Sequence, residues 1–268
     1  MYKILYKEFF VTLKSRFHYI VGAFVLGIAL LSLYGIYHTL SENEMASDYA
    51  IFQMVNANNN GFFDYAAEII SGNFLSLFVA IIVPVIICEA FGNGYIKNIY
   101  NFSEQKKYYT IGKLFSIFCV LFFYILLTVL ATGISGITMF EFSGLGNVKK
   151  YILFVLLHIL CNVAFGCVIM FIAEVIRKVA ISMIIGIIYV VMLCDLLYQV
   201  INSAVLRLVD VKFDISEYTV MGNMTQLTMN SGKEDIIRTI LIAIAYITFF
   251  SILTHILFLR RDVNCNEK

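Results

Sequence analysis

The residues best suited to do work in this chain lie between two long apolar stretches, from Glu89 to Lys113. Residues 89–100 read Glu-Ala-Phe-Gly-Asn-Gly-Tyr-Ile-Lys-Asn-Ile-Tyr, and the segment continues through Ser103, Glu104, Lys106 and Lys107 to Lys113. Gly92 and Gly94 interrupt a helix. Beyond them Ile96 and Tyr100 are interspersed with Lys97, Asn98 and Glu104. The chemistry this pattern offers is docking: apolar side chains supply a contact face and charges fix its orientation on a partner. Two ionisable residues, His158 and Asp195, stand inside apolar stretches. Charges in hydrocarbon are costly and tend to face the protein interior or water, which makes both candidates for a transport pathway. Interhelical hydrogen bonding is the plainer role for His158. Asp195 lies about 16 residues, or roughly 24 Å at the helical rise, from the start of its stretch, where snorkelling is cheap.

Catalytic spacings are absent from the sequence. There is no HExxH, no HxE…CxxC, no Ser/His/Asp arrangement and no pair of acids placed for acid–base work. A phosphate-binding loop requires Gly-x-x-x-x-Gly-Lys-Ser/Thr. The two Gly-Lys pairs here continue as Gly112-Lys113-Leu114 and Gly232-Lys233-Glu234 and lack the hydroxyl. The six cysteines have no metal-ligand spacing and read as packing residues. No enzyme activity, metal or bound cofactor is expected of this chain.

The elements that position these residues are six apolar runs: 19–39, 69–89, 113–137, 151–173, 179–200 and 236–259. Each is about the roughly 20 residues that a helix needs to cross a bilayer. The composition agrees, with 61% hydrophobic and 14% charged residues, one proline (Pro84) and no tryptophan among 268 residues, and a mean hydropathy of +0.87. Expected is an all-α polytopic membrane protein forming one transmembrane domain, with membrane lipid as its surroundings and no nucleic-acid partner. Tyr19, Tyr34, Tyr37, Tyr151 and Tyr198 near the ends of the runs are expected to supply the interfacial aromatic belt. Residues 2–17 carry Ile4, Leu5, Phe9, Phe10, Leu13 and Phe17 at helical spacing among Lys3, Lys7, Lys14 and Arg16. This predicts an amphipathic helix in the inner interface, Phe and Leu toward lipid and Lys toward headgroups. The first run is expected to be a retained span, not a cleaved signal.

Orientation follows from basic residues near the span ends. With the N-terminus inside, the inner segments hold 13 of the 19 Lys and Arg residues, and the first outer loop holds none. Both termini are therefore expected to be cytoplasmic. Glu174, Arg177 and Lys178 form a tight inner turn between spans four and five. Pro84 is expected to kink the second span, and Ser182 and Gly186 offer one small-xxx-small packing face.

The 89–113 segment resembles a permease subunit of the type-2 ABC exporter family, half-size permeases associated with bacteriocin or peptide-antibiotic export. That family's pattern is an acid, then Gly, one residue, Ile-Lys-Asn, a basic polar turn and a Lys before the next span. Glu89, Gly94, Ile96, Lys97, Asn98, Lys107 and Lys113 match it, while Tyr95 replaces the usual Thr and the polar turn lacks the common proline. The resemblance implies a coupling loop over 90–112, with Glu89 as anchoring acid and Gly94, Ile96, Lys97, Asn98, Tyr100, Glu104 and Lys107 facing an ABC ATPase present in two copies. It implies a second permease copy or a sister permease, ATP and Mg bound by the partner ATPase, and location in a bacterial cytoplasmic membrane. It also implies that the outer segment 201–235 folds back against the outer face. An ATP-independent channel or carrier, and a non-transporting scaffold or sensor, stay open as alternatives.

Overall fold

The computed structural model describes residues 2–42, 62–71, 74–92, 106, 108–138, 146–209 and 214–260. Among them there is no strand. The helices are α1 (Tyr2–Lys14), α2 (Arg16–Glu42), α3 (Phe62–Ile70), α4 (Phe74–Gly92), α5 (Tyr109–Thr138), α6 (Val148–Ile176), α7 (Val179–Ile188), α8 (Cys194–Val209), α9 (Val220–Gln226) and α10 (Lys233–Arg260). A π-turn, Tyr189–Leu193, joins α7 to α8, and a 3₁₀ turn, Ile215–Tyr218, precedes α9.

Four of these helices contain stretches long and apolar enough to cross a membrane: Phe74–Phe91, Tyr109–Ser135, Val148–Ile176 and Lys233–Arg260. Arg16–Leu31 and Val179–Val191 are shorter apolar helical stretches. The side chains are sorted as in a lipid solvent. On α5, Phe115, Phe118, Phe122, Leu126, Leu130 and Ile134 face outward, while Ser116, Thr128, Thr132 and Ser135 are buried. A continuous outward apolar face marks contact with a membrane or a partner. The buried hydroxyls donate back into their own helix, as Ser116 to Gly112 O, Thr132 to Thr128 O and Ser135 to Ala131 O. Every such bond leaves no polar group seeking water.

The helices alternate in direction around a two-helix centre. Of the apolar stretch of α4, 72% is buried, and 61% of that of α6, against 11% for α10, so α4 and α6 form the core and α10 its rim. One end of the bundle gathers α1, the end of α4, the start of α5 and the end of α10: Tyr109 stacks on Phe258 at 4.0 Å, and Thr110 is 3.3 Å from His255 Nδ1. The opposite end gathers the start of α6, the start of α10 and the segment 214–232, where Lys150 Nζ donates to Asn230 Oδ1 at 2.8 Å.

Several expected boundaries shift. The second run was expected at 69–89, but Ile69 and Ile70 close α3, and the long helix begins at Phe74 and continues to Gly92. Helix α3 itself lies largely in the stretch between the first two expected runs. Ala66, Ala67 and Ile70 turn one side of it into the core, a 3.6-residue periodicity. Helix α5 starts at Tyr109, so residues 109–112 of the expected coupling loop belong to it. Tyr151, expected in the aromatic belt, is buried beside Phe63, ring centroids 4.8 Å apart.

The small-residue face on α7 packs within the chain. Ser182 and Gly186 are both buried. A Cβ at Gly186 would lie 3.0 Å from Ala80 Cβ, 3.2 Å from Ile169 Cδ1 and 3.3 Å from the Ala80 carbonyl oxygen. Pro84, four residues on, has no amide hydrogen to return to that carbonyl, and the glycine lets α7 settle against it. Gly186→Val is expected to destabilise the protein by about 1–3 kcal/mol through overpacking. Thermal unfolding in detergent measures it, and an unchanged midpoint would contradict the close approach.

Candidate functional site

The expected coupling loop hangs between α4 and α5, and the structure describes its two feet. Gly94, Ile96, Lys97, Asn98, Tyr100, Glu104 and Lys107 lie outside the described residues. Glu89 is exposed on the last turns of α4. It lines a cavity of about 50 Å³ together with Thr12, Ser15, His18, Ile86 and Lys113. Lys113 is almost fully buried, with its ammonium 2.8 Å from Glu8 Oε2 on α1 and donating to the Ile86 carbonyl on α4 at 3.2 Å. Glu8 is fully buried, and Thr12 Oγ1 donates to its carbonyl at 2.9 Å.

This arrangement corrects the simple picture of α1. Tyr6 and Phe10 face outward and stack on each other, and Lys14 is exposed, as an interfacial helix requires. The inward face carries a carboxylate and a hydroxyl, not only Phe and Leu, because Lys113 needs a buried counter-charge. The sequence signal was available: Glu8 is the only acid in residues 2–17.

The turn between α6 and α7 lies at the same end. Arg177 caps α6 in the left-handed conformation, φ 56°, and its amide donates to Ala173 O. Its guanidinium sits 4.4 Å from the centre of the Phe91 ring and 3.7 Å from the buried Glu174 carboxylate. Phe91 belongs to the end of α4, so this turn braces the other side of the same foot.

His158 and Asp195 are not joined by any described contact. His158 is fully buried on α6, its ring 4.3 Å from that of Phe154, and neither ring nitrogen has a hydrogen-bond partner among the described residues. Asp195 is the second residue of α8, directly after the π-turn; its side chain lies outside the described set. One turn from His158, Asn162 forms a polar node that sequence reasoning missed. It accepts from Ser76 Oγ on α4 at 3.0 Å, and its amide donates to His158 O at 2.9 Å and to Met224 Sδ at 3.3 Å.

Met224 comes from α9, which closes the far end of the bundle. Val220, Met221, Gly222, Asn223 and Met224 are all buried. Asn223 holds this cap: its amide donates to Glu217 O at 2.7 Å and Thr219 O at 2.8 Å, and its Oδ1 accepts from Arg238 Nε at 3.4 Å and Thr239 Oγ1 at 3.3 Å. Arg238 also pairs with Glu217 at 3.4 Å and Asp235 at 3.0 Å. Tyr198 on α8 meets Thr219 Oγ1 at 2.5 Å, and Asn202 donates to Asp214 at 3.0 Å. Hydrogen bonds from Ser216 and Asn202 hold the Asp214 carboxyl below its ordinary range.

Among the described residues, no group of His, Cys, Asp and Glu is placed to hold a metal ion. The arrangement is one of mechanical parts: a braced loop base at one end, a closed cap at the other, and a sparse polar node between. No family model and no curated protein matches this chain.

Proposed function

We propose that this chain is the membrane-spanning permease subunit of an ATP-driven exporter, similar to the half-size permeases of the type-2 ABC exporter family. It crosses a bacterial cytoplasmic membrane six times with both termini cytoplasmic. It pairs with a second copy or a sister permease, and receives work from two copies of a separate ATPase through residues 90–112. The observation that carries this reading is the bracing of that segment's feet. The ends of α4 and α5 are tied to each other and to α1 through Lys113, and α4 is braced again by Arg177. A loop built on such a base transmits force into the bundle instead of absorbing it. The cargo that suits an apolar, aromatic-rich pathway is amphipathic, a peptide or peptide antibiotic.

Affinity purification of the tagged chain in mild detergent tests this directly. The expected result is stoichiometric recovery of a Walker-motif ATPase, with Lys97→Ala plus Glu104→Ala abolishing both its recovery and ATP-dependent export while membrane insertion is retained. Recovery of a homo-oligomer without ATPase activity removes the exporter reading. One observation favours the carrier alternative: the buried imidazole of His158, without a hydrogen-bond partner among the described residues, in the bundle interior. ATP-independent flux abolished by His158→Leu would select it.

A further inference from the structure

Lys113 touches more of the machinery than its place in the sequence indicates. It stands in the first turns of α5, reaches Ile86 O near the end of α4, and reaches Glu8 on α1. These contacts join the two feet of the 93–107 segment to a helix that precedes the first span. Burial removes Glu8 and Lys113 from water almost completely. A buried ion pair adds little net stability over apolar side chains of similar volume, but loss of one partner leaves an uncompensated buried charge. Its value at this place is positional.

We propose that Glu8 and Lys113 form a joint that makes α1 move with the feet of the α4–α5 segment, so that displacement of that segment is carried into α1. Three observations support the joint. The helix is interrupted between α1 and α2 at Ser15, whose amide donates to Thr12 O at 3.2 Å, so α1 is a helix separate from α2. The small cavity beside Lys113 is walled by Thr12 and Ser15 at the end of α1 and by Ile86 and Glu89 on α4, so α1 and α4 are not close-packed there. The opposite face of α1 exposes Tyr6 and Phe10, an apolar surface suited to an interface. Glu8 and Lys113 are positioning residues; neither is placed at the cargo. The function of the joint rests on the exporter reading, but its existence does not.

The test uses the full chain in lipid nanodiscs, with native cysteines replaced and spin labels at Tyr6→Cys and Phe122→Cys. The unaltered pair is expected to give one narrow distance peak. Glu8→Gln and Lys113→Met are each expected to lose that peak. A control pair, Ile152→Cys with Ile237→Cys, reports the fold of α6 and α10 and is expected to stay the same in every variant. Retention of the narrow α1 peak in both single variants overturns the joint, and so does equal broadening of the control pair. In the complex recovered with its ATPase, ATP is expected to shift the α1 distance, and Lys113→Met to abolish the shift. A shift that survives Lys113→Met overturns the transmission. Failure to recover an ATPase sinks the exporter reading alone and leaves the nanodisc result to decide the joint.

Discussion

Replacing Gly222 with alanine will unseat the cap formed by residues 214–227. A Cβ there would lie 2.7 Å from both the carbonyl carbon and the Cα of Ser216, and closer still to its oxygen. Those are backbone atoms of the 3₁₀ turn, so no rotamer change relieves the clash; the turn itself must shift. Ser216 is held by Asp214, Thr219 and Gln226, and Asn223 spans the same turn. Displacing it therefore strains a hydrogen-bond network that ties α9 to α10. Overpacking a core costs about 1–3 kcal/mol, and an obstacle made of backbone places this substitution at the top of that range. The midpoint of thermal unfolding in detergent should fall, and limited proteolysis in detergent should cleave within 214–232 in the variant only. An unchanged midpoint with unchanged protection would show that Gly222 does not meet Ser216.

Parts of this cap were legible in the sequence. Asp214 and Thr219 are N-cap residues whose side chains accept from Ser216 N and Gly222 N, and helix starts marked by Asp or Thr follow from the unsatisfied amides of a first turn. The resemblance implies only that 201–235 folds back against the outer face, and carries no sign of the two short helical turns. What no local pattern reveals is that Asn223 meets Arg238 and Thr239. That contact exists only because α10 brings its first turns alongside α9.

The same division runs through the bundle. Long apolar runs declare themselves because a helix in hydrocarbon must satisfy its backbone internally over a fixed length; α5, α6 and α10 each enclose an expected run, starting three or four residues before it and ending one to three residues after it. Helix α3 was missed because its apolar positions, Phe63, Ala66, Ala67 and Ile70, are interrupted by Asp64 and Glu68 and its length is nine residues. The buried Glu8 was missed for a different reason. In an isolated amphipathic helix an acid among lysines reads as solvated, and only the arrival of Lys113 from another helix reverses its environment. Lys113 itself was noticed for its place in a motif, which says nothing of where its ammonium points.

Lys113→Met is expected to destabilise the chain by about 3–5 kcal/mol, the cost of leaving one buried charge without its partner. Glu8 would remain fully buried beside a thioether, with the Thr12 hydroxyl already committed to the Glu8 carbonyl. The companion Glu8→Leu on the same background removes the orphaned charge, and the double variant should recover most of the loss, since apolar side chains of similar volume commonly replace a buried pair at little cost. Unfolding of the full chain in detergent, measured for both single variants and the double, provides the cycle. A single-variant loss without recovery in the double would mean that α1 is held by the pair itself, as glue. Recovery in the double would mean that stability does not require the charges, and that their presence answers to the geometry they impose on α1, α4 and α5. No loss in Lys113→Met would contradict the burial of the pair and with it the bracing of the loop base.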